Sequence, residues 1–223
     1  MENFQFNKEI QIPAGEVILA GNLTVPNHAK GVVIFAHGSG SSRHSSRNKA
    51  VAQTLQENGY GTLLFDLLTI QEDETYANRF NIDLLTERLL KVTGWLRSFD
   101  GIKEEPAIGY FGASTGAAAT LKAAASLGEM IGAVVSRGGR PDLAGDALPL
   151  VRTATMLIVG SLDTEVIRLN QEAHARMKCE REIRIIDGAS HLFEEPGKLE
   201  QVAALAVDWF DKHLITVTAQ ARV

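Results

Sequence analysis

Ser114 lies in Gly112-Ala113-Ser114-Thr115-Gly116, a G-x-S-x-G pattern. An apolar run, Ile108 to Phe111, precedes it, and an alanine-rich run, Ala117 to Ala125, follows. Such a strand-to-helix turn holds its serine in a sparsely allowed backbone conformation and turns the hydroxyl outward. The two glycines have a steric reason, since a side chain two residues either side would strike the neighbouring strand or helix. The turn also sets the serine at a helix N-terminus, where outward amides favour negative charge. Those features suit attack on a carbonyl carbon, with the amide of Thr115 facing the oxyanion. The pattern alone arises by chance in roughly one chain in ten of this length. Its setting and its partners carry the reading.

A hydroxyl needs a base. His191, in Gly188-Ala189-Ser190-His191-Leu192-Phe193, follows the strand expected at 182–187 and precedes the last helical pattern. It could take the serine proton and return it to a leaving group. His28, His44, His174 and His213 lack this placement, and the last two read as surface residues on helices. Asp163, after the apolar run 155–159, could orient the imidazole and stabilise its cation. Its structural alternative is an N-cap of the helix from Glu165, and both roles can hold together. Asp142, after the preceding apolar run, competes for the acid role. The resulting order, Ser114, Asp163, His191, is serine, acid, histidine. His37-Gly38-Ser39-Gly40 also follows an apolar run, Val32 to Ala36, and its glycines allow exposed amides. We read Ser39 as the second oxyanion donor, with Gly40 as the alternative, and His37 as a brace for the loop. Arg137 and Arg140 either hold a substrate carboxylate or pair with structural acids such as Asp142 or Glu194.

Patterning supplies the elements that position these residues. Phe4 to Ile12 and Val17 to Val25 alternate apolar and polar around Pro13-Ala14-Gly15, which predicts an antiparallel hairpin. Short, mainly apolar runs at 31–36, 61–67, 107–111, 131–136 and 155–160 read as buried strands, with another strand at 182–187. Helices are expected at 49–57, 82–99, from the serine turn to about Leu127, near 143–151, at 165–178, and from Leu199 to about Leu214. Residues 69–80 read as a loop. Strands alternating with helices predict an α/β fold, a mostly parallel sheet covered on both faces. Ligands of such sheets bind beyond the carboxyl ends of the strands, where every candidate above falls. No lid-sized segment separates the strands at 136 and 155, so the substrate is expected to be small, and polar or anionic.

Composition excludes other classes. The 223 residues suit one domain, 1–223, with 215–223 as a possible loose tail. The net charge is −5 with no basic stripe, so no nucleic acid is expected. No run approaches a membrane span and Met1 to Glu9 lacks a signal layout, so no membrane partner and a cytoplasmic location are expected. The one cysteine, Cys179, reads as a packed small hydrophobe. No cofactor and no metal are implied, and a homodimer is compatible with the sequence.

The segments Phe35-Ala36-His37-Gly38-Ser39-Gly40-Ser41, Gly109 to Gly116, Ser136-Arg137-Gly138-Gly139-Arg140-Pro141-Asp142-Leu143 and Gly188 to Gly197 resemble one bacterial group. The chain is similar, over roughly 15–214, to the α/β-hydrolases of the dienelactone-hydrolase-like branch, some of which are fused to a phosphoribosyltransferase domain. Dienelactone hydrolase itself carries a cysteine nucleophile. Ser114 stands in its place here, so the resemblance implies ordinary esterase activity without a cap domain. A thioesterase, a small amidase or a silent hydrolase-like binding protein are the alternatives.

Overall fold

The alternating apolar residues of the first 26 positions form the hairpin. Strands β1 (Phe4–Ala14) and β2 (Val17–Pro26) pair antiparallel, and Gly15, at φ 81°, makes the turn. In the computed structural model, which describes residues 4–102 and 105–214, this hairpin is one end of an eight-stranded sheet. The other strands are β3 (Val32–Ala36), β4 (Gly61–Phe65), β5 (Ile108–Ala113), β6 (Ile131–Arg137), β7 (Ala154–Gly160) and β8 (Arg181–Ile186). Their order is β1-β2-β4-β3-β5-β6-β7-β8, with β4 antiparallel to β2 and all later pairings parallel. The expected tail, 215–223, lies outside the described residues.

Two apolar layers cover the sheet. Helix α1 (Ser46–Glu57) and the last helix, α6 (Lys198–His213), bury Val51, Leu55, Val202, Ala206 and Phe210 on one face. On the other face lie α3 (Ile82–Arg97) and α4 (Thr115–Leu127), with Leu85, Leu89, Val92, Leu121 and Ala124. Helix α5 (Thr164–Arg176) joins that face through Ala173. A buried phenylalanine such as Phe210 contributes roughly 1.5–3 kcal/mol through the area it removes from water. Helix α4 is buried over most of its length, with Lys122 and Ser126 on its outer side. Its small side chains let it lie close to the sheet.

The chain leaves β3 toward β4 on one side, while β3 pairs with β5 on the other. The helices that follow β3 and β5 cover opposite faces. This switch in direction opens a crevice beyond the carboxyl ends of β3 and β5. The loop with His37 and the turn with Ser114 border it.

Three local expectations change. Residues 69–80 contain a short helix, α2 (Ile70–Glu74), and a 3-10 turn, Tyr76–Phe80. A capping box sets α2: the Thr69 side chain accepts from the Glu72 amide, and Glu72 accepts from the Thr69 amide. The segment expected as a helix near 143–151 is a 3-10 helix, Pro141–Leu150, broken at Gly145. His213 is not a surface ring, for it packs 4.1 Å from the Trp209 ring centroid with 11% of its side chain exposed. Cys179 is buried and unpaired, and burial raises its thiol pKa. Among the described residues no helix is long and apolar enough to cross a membrane.

Candidate active site

Ser114 sits between β5 and α4 at φ 49°, ψ −122°. This left-handed region is costly for a residue with a Cβ. The neighbours hold it there. Its amide donates to Arg137 O at 3.3 Å, and its carbonyl accepts from Arg140 N at 3.0 Å and Ala117 N at 3.1 Å. The flanking glycines are required by close approach. A Cβ on Gly112 would lie 2.5 Å from Ala117 Cα, and one on Gly116 would lie 2.2 Å from Ala36 O. Gly38 leaves room for the serine itself, since a Cβ there would stand 2.9 Å from Ser114 Cβ.

Asp163 and His191 come together on the loops after β7 and β8. The His191 Nδ1 and Asp163 Oδ2 atoms are 2.6 Å apart. Asp163 stands at the N-cap position of α5, but its side chain makes no capping bond. Its carboxylate goes to the imidazole instead. The two loops are tied by backbone: Ser161 N donates to Ile186 O at 2.9 Å and Leu162 N to Ala189 O at 3.0 Å. The Ser161 hydroxyl accepts from Gly188 N at 2.8 Å. Strand β6 links this pair to the serine. Arg137 O accepts from Ser114 N, and a Cβ on the next residue, Gly138, would lie 3.5 Å from His191 Cε1.

The His191 loop has a second strained residue. Phe193 is at φ 59°, fully buried, and packs where Gly138 leaves room. Ser190 N donates to Glu195 Oε2 at 3.1 Å. Asn170, buried on α5, donates to Gly139 O at 3.0 Å and steadies the loop after β6. Sequence reading gave Phe193 and Glu195 no role of their own within the Gly188–Gly197 segment and passed over Asn170. An asparagine inside a helical pattern and a phenylalanine in a loop give no period or motif that separates them from their neighbours.

His37 braces its loop. Its Nε2 accepts from Leu67 N at 3.0 Å, which leaves Nδ1 to donate to Gly38 O at 2.9 Å. Accepting at Nε2 requires the neutral ring. Burial is the largest influence and lowers its pKa from 6.5, against the opposing pull of Asp66 and Asp73. Lowering a histidine pKa stabilises the fold where the ring is neutral in both states, above about pH 6.5, and that stability is lost as pH falls toward the folded value. His37→Gln retains an acceptor without titrating there. Unfolding free energies from urea titrations between pH 7 and pH 5 should therefore fall more steeply for the wild type than for this variant, by up to about 1.4 kcal/mol per pH unit, the limit for one proton. Parallel pH profiles would show that His37 is not held neutral.

The two arginines are placed differently from each other. Arg140 binds Asp142 through Nε at 2.8 Å and an Nη at 2.7 Å, so the carboxylate that competed for the acid role is engaged with a guanidinium. Arg137 is 6% exposed. One of its Nη atoms donates to Asn48 Oδ1 at 3.2 Å. Burial, with Arg47 nearby, lowers its pKa to about 10. Glu194 pairs with Arg47 rather than with either of them. The Ser39 amide donates to Thr115 Oγ1 at 2.9 Å.

The model of the dienelactone hydrolase family matches residues 18–215. A candidate phosphoribosyl transferase of Mycobacterium tuberculosis is 56% identical over 208 residues, 93% of this chain and 47% of its own length. The chain thus spans about half the length of the curated relatives it matches. Among solved structures, a dienelactone hydrolase from Anabaena variabilis is 50% identical with a TM-score of 0.91, covering 95% of this chain and 99% of that one. Est1E from Butyrivibrio proteoclasticus shares the fold at 16% identity, with a TM-score of 0.77 over 92% of this chain and 98% of its own.

Proposed function

The chain belongs to the dienelactone hydrolase family, and from that premise we propose that it is a serine hydrolase cleaving carboxylic esters of small substrates. Ser114 attacks the acyl carbon. His191 takes its proton, then returns it to the leaving alcohol. Asp163 accepts from His191 Nδ1–H, which leaves Nε2 as the base and stabilises the imidazolium. The Thr115 amide at the start of α4 and the loop bearing Ser39 stabilise the oxyanion. A water, activated by the same imidazole, then releases the acyl group.

The observation that carries this reading is the 2.6 Å contact of Asp163 and His191 on the sheet edge where the strained Ser114 is held. A polar cleft beside the Ser39 loop supports a small, polar substrate, although none of Ser114, Asp163 and His191 lines it. An open cleft of about 450 Å³, lined by Gly40, Ser41, Ser42, His44, Asp73 and Arg79 among others, adjoins the Ser39 loop. It offers little apolar surface to a long acyl chain.

Fluorophosphonate labelling of the intact protein, located by mass spectrometry, tests the reading. The phosphonyl group is expected on Ser114, with p-nitrophenyl acetate turnover lost in proportion to labelling. Full labelling with turnover intact would sink the proposal, as would no labelling at Ser114.

A further inference from the structure

Thr115 presents more than an amide. An oxyanion is stabilised by donors already aimed at the point where charge develops. In this turn one such donor is the Thr115 N–H, an amide of the first helical turn with no helical acceptor. The expected second donor, the Ser39 N–H, is committed: its bond at 2.9 Å ends on Thr115 Oγ1. The hydroxyl stands at the end of that N–H, on the residue that follows the nucleophile.

A hydroxyl has one hydrogen to give and two lone pairs. Thr115 Oγ1 receives the Ser39 amide, and among the described residues its own hydrogen has no acceptor. Thr115 is 4% exposed, so bulk water does not readily supply one. An unspent buried donor is a cost that folding normally avoids. The cost is relieved when an acceptor enters the site, and the acceptor that catalysis generates beside Ser114 is the oxyanion. A hydroxyl that already accepts a hydrogen bond is also a stronger donor, because successive bonds polarise one another.

We infer that the Thr115 hydroxyl is a catalytic donor to the oxyanion, acting beside the amide of the same residue. Ser39 is then a positioning residue: its amide orients and polarises Oγ1. The hydroxyl shares its proton and does not transfer it. This inference rests on the serine-hydrolase reading and adds to it a donor that a backbone-only oxyanion hole lacks. The competing role is a plug, in which the hydroxyl occupies the Ser39 amide until substrate displaces it. The two roles predict opposite signs.

The test compares Thr115→Val, which keeps the shape and removes the hydroxyl, with Thr115→Ser, which keeps the hydroxyl. Kinetics with p-nitrophenyl acetate, thermal melts and fluorophosphonate labelling are measured on each. Thr115→Val is expected to lose about 10²- to 10³-fold in kcat, as when one oxyanion donor is removed, with KM little changed. Thr115→Ser should keep most of the activity. Thr115→Val at or above wild-type kcat overturns the inference in favour of the plug, and equal loss in both variants overturns it in favour of a packing role for the side chain. Should Thr115→Val fail to fold, Thr115→Ala against Thr115→Ser decides in the same way. If the wild type itself is not labelled at Ser114, the hydrolase reading has failed and takes this inference with it. Labelled, active wild type with an unaffected Thr115→Val sinks the inference alone.

Discussion

Ser114→Ala is expected to lower p-nitrophenyl acetate turnover about a millionfold, the scale on which removal of a triad nucleophile acts. The reason lies in how much else depends on that oxygen. The strained turn, the carbonyl of Ser114 held by Arg140 N, and the glycines that allow close approach all serve to present one hydroxyl. Without it, His191 has no proton to accept and no acyl-enzyme can form. What survives is binding and oxyanion stabilisation, which typically retain 10³- to 10⁴-fold over water. The turn itself survives too, since alanine has the same Cβ in the same space. Far-ultraviolet circular dichroism and the melting temperature should match the wild type. Turnover at the wild-type rate in the purified variant would mean that another residue is the nucleophile.

Asp163→Asn should cost about 10⁴-fold in kcat, the scale seen when the acid behind a catalytic histidine becomes an amide. The carboxylate can only accept, so it keeps the hydrogen of His191 on Nδ1 and leaves Nε2 free to act as base. An amide nitrogen in its place can donate to Nδ1, and that favours the tautomer with Nε2 protonated. Asp142→Asn is the internal comparison. Asp142 holds Arg140 through two hydrogen bonds at 2.8 and 2.7 Å, so its replacement loosens an ion pair and leaves the histidine untouched. Its effect on kcat should be minor beside that of Asp163→Asn. Stopped-flow or steady-state kinetics on both variants, with melts alongside, make the comparison. The reverse ranking would move the acid to the loop after β6.

The placement of the candidate residues on one sheet edge was legible because it rests on local patterning. Each of Ser114, Asp163 and His191 lies on the loop or turn after a strand, and in a parallel sheet such strand ends share one edge. The strands themselves were legible because a strand buried on both faces reads as a short, mostly apolar run with no charged residue, as in Val32–Ala36 and Gly61–Phe65. Short helices were harder to read. Helix α2 depends on a reciprocal bond between Thr69 and Glu72, five residues with no apolar face and no buried position to betray them. The break at Gly145 was hidden for a related reason: a φ of 55° is a property of the backbone path, and the residue type only permits it.

Side-chain partnership was settled by tertiary structure alone. Sequence left Asp163 between capping α5 and orienting a histidine. Packing of the loop after β7 against the loop after β8, with Gly160 small enough to let Ala189 O approach, turned the carboxylate to His191. Sequence left Arg140 between a substrate and a structural acid, and two residues of chain geometry put it on Asp142. It assigned Ser39 a free amide, and the fold of two distant segments brought the Thr115 hydroxyl onto it. By itself the sequence determined an α/β sheet and a serine, an acid and a histidine in order along one edge of it, because alternation, steric need for glycine and residue type are local. Which donor meets which acceptor was decided only by the tertiary structure, because a hydrogen bond depends on a few tenths of an ångström between residues that are 28 positions apart for the acid and histidine and 76 apart for the serine amide and threonine hydroxyl.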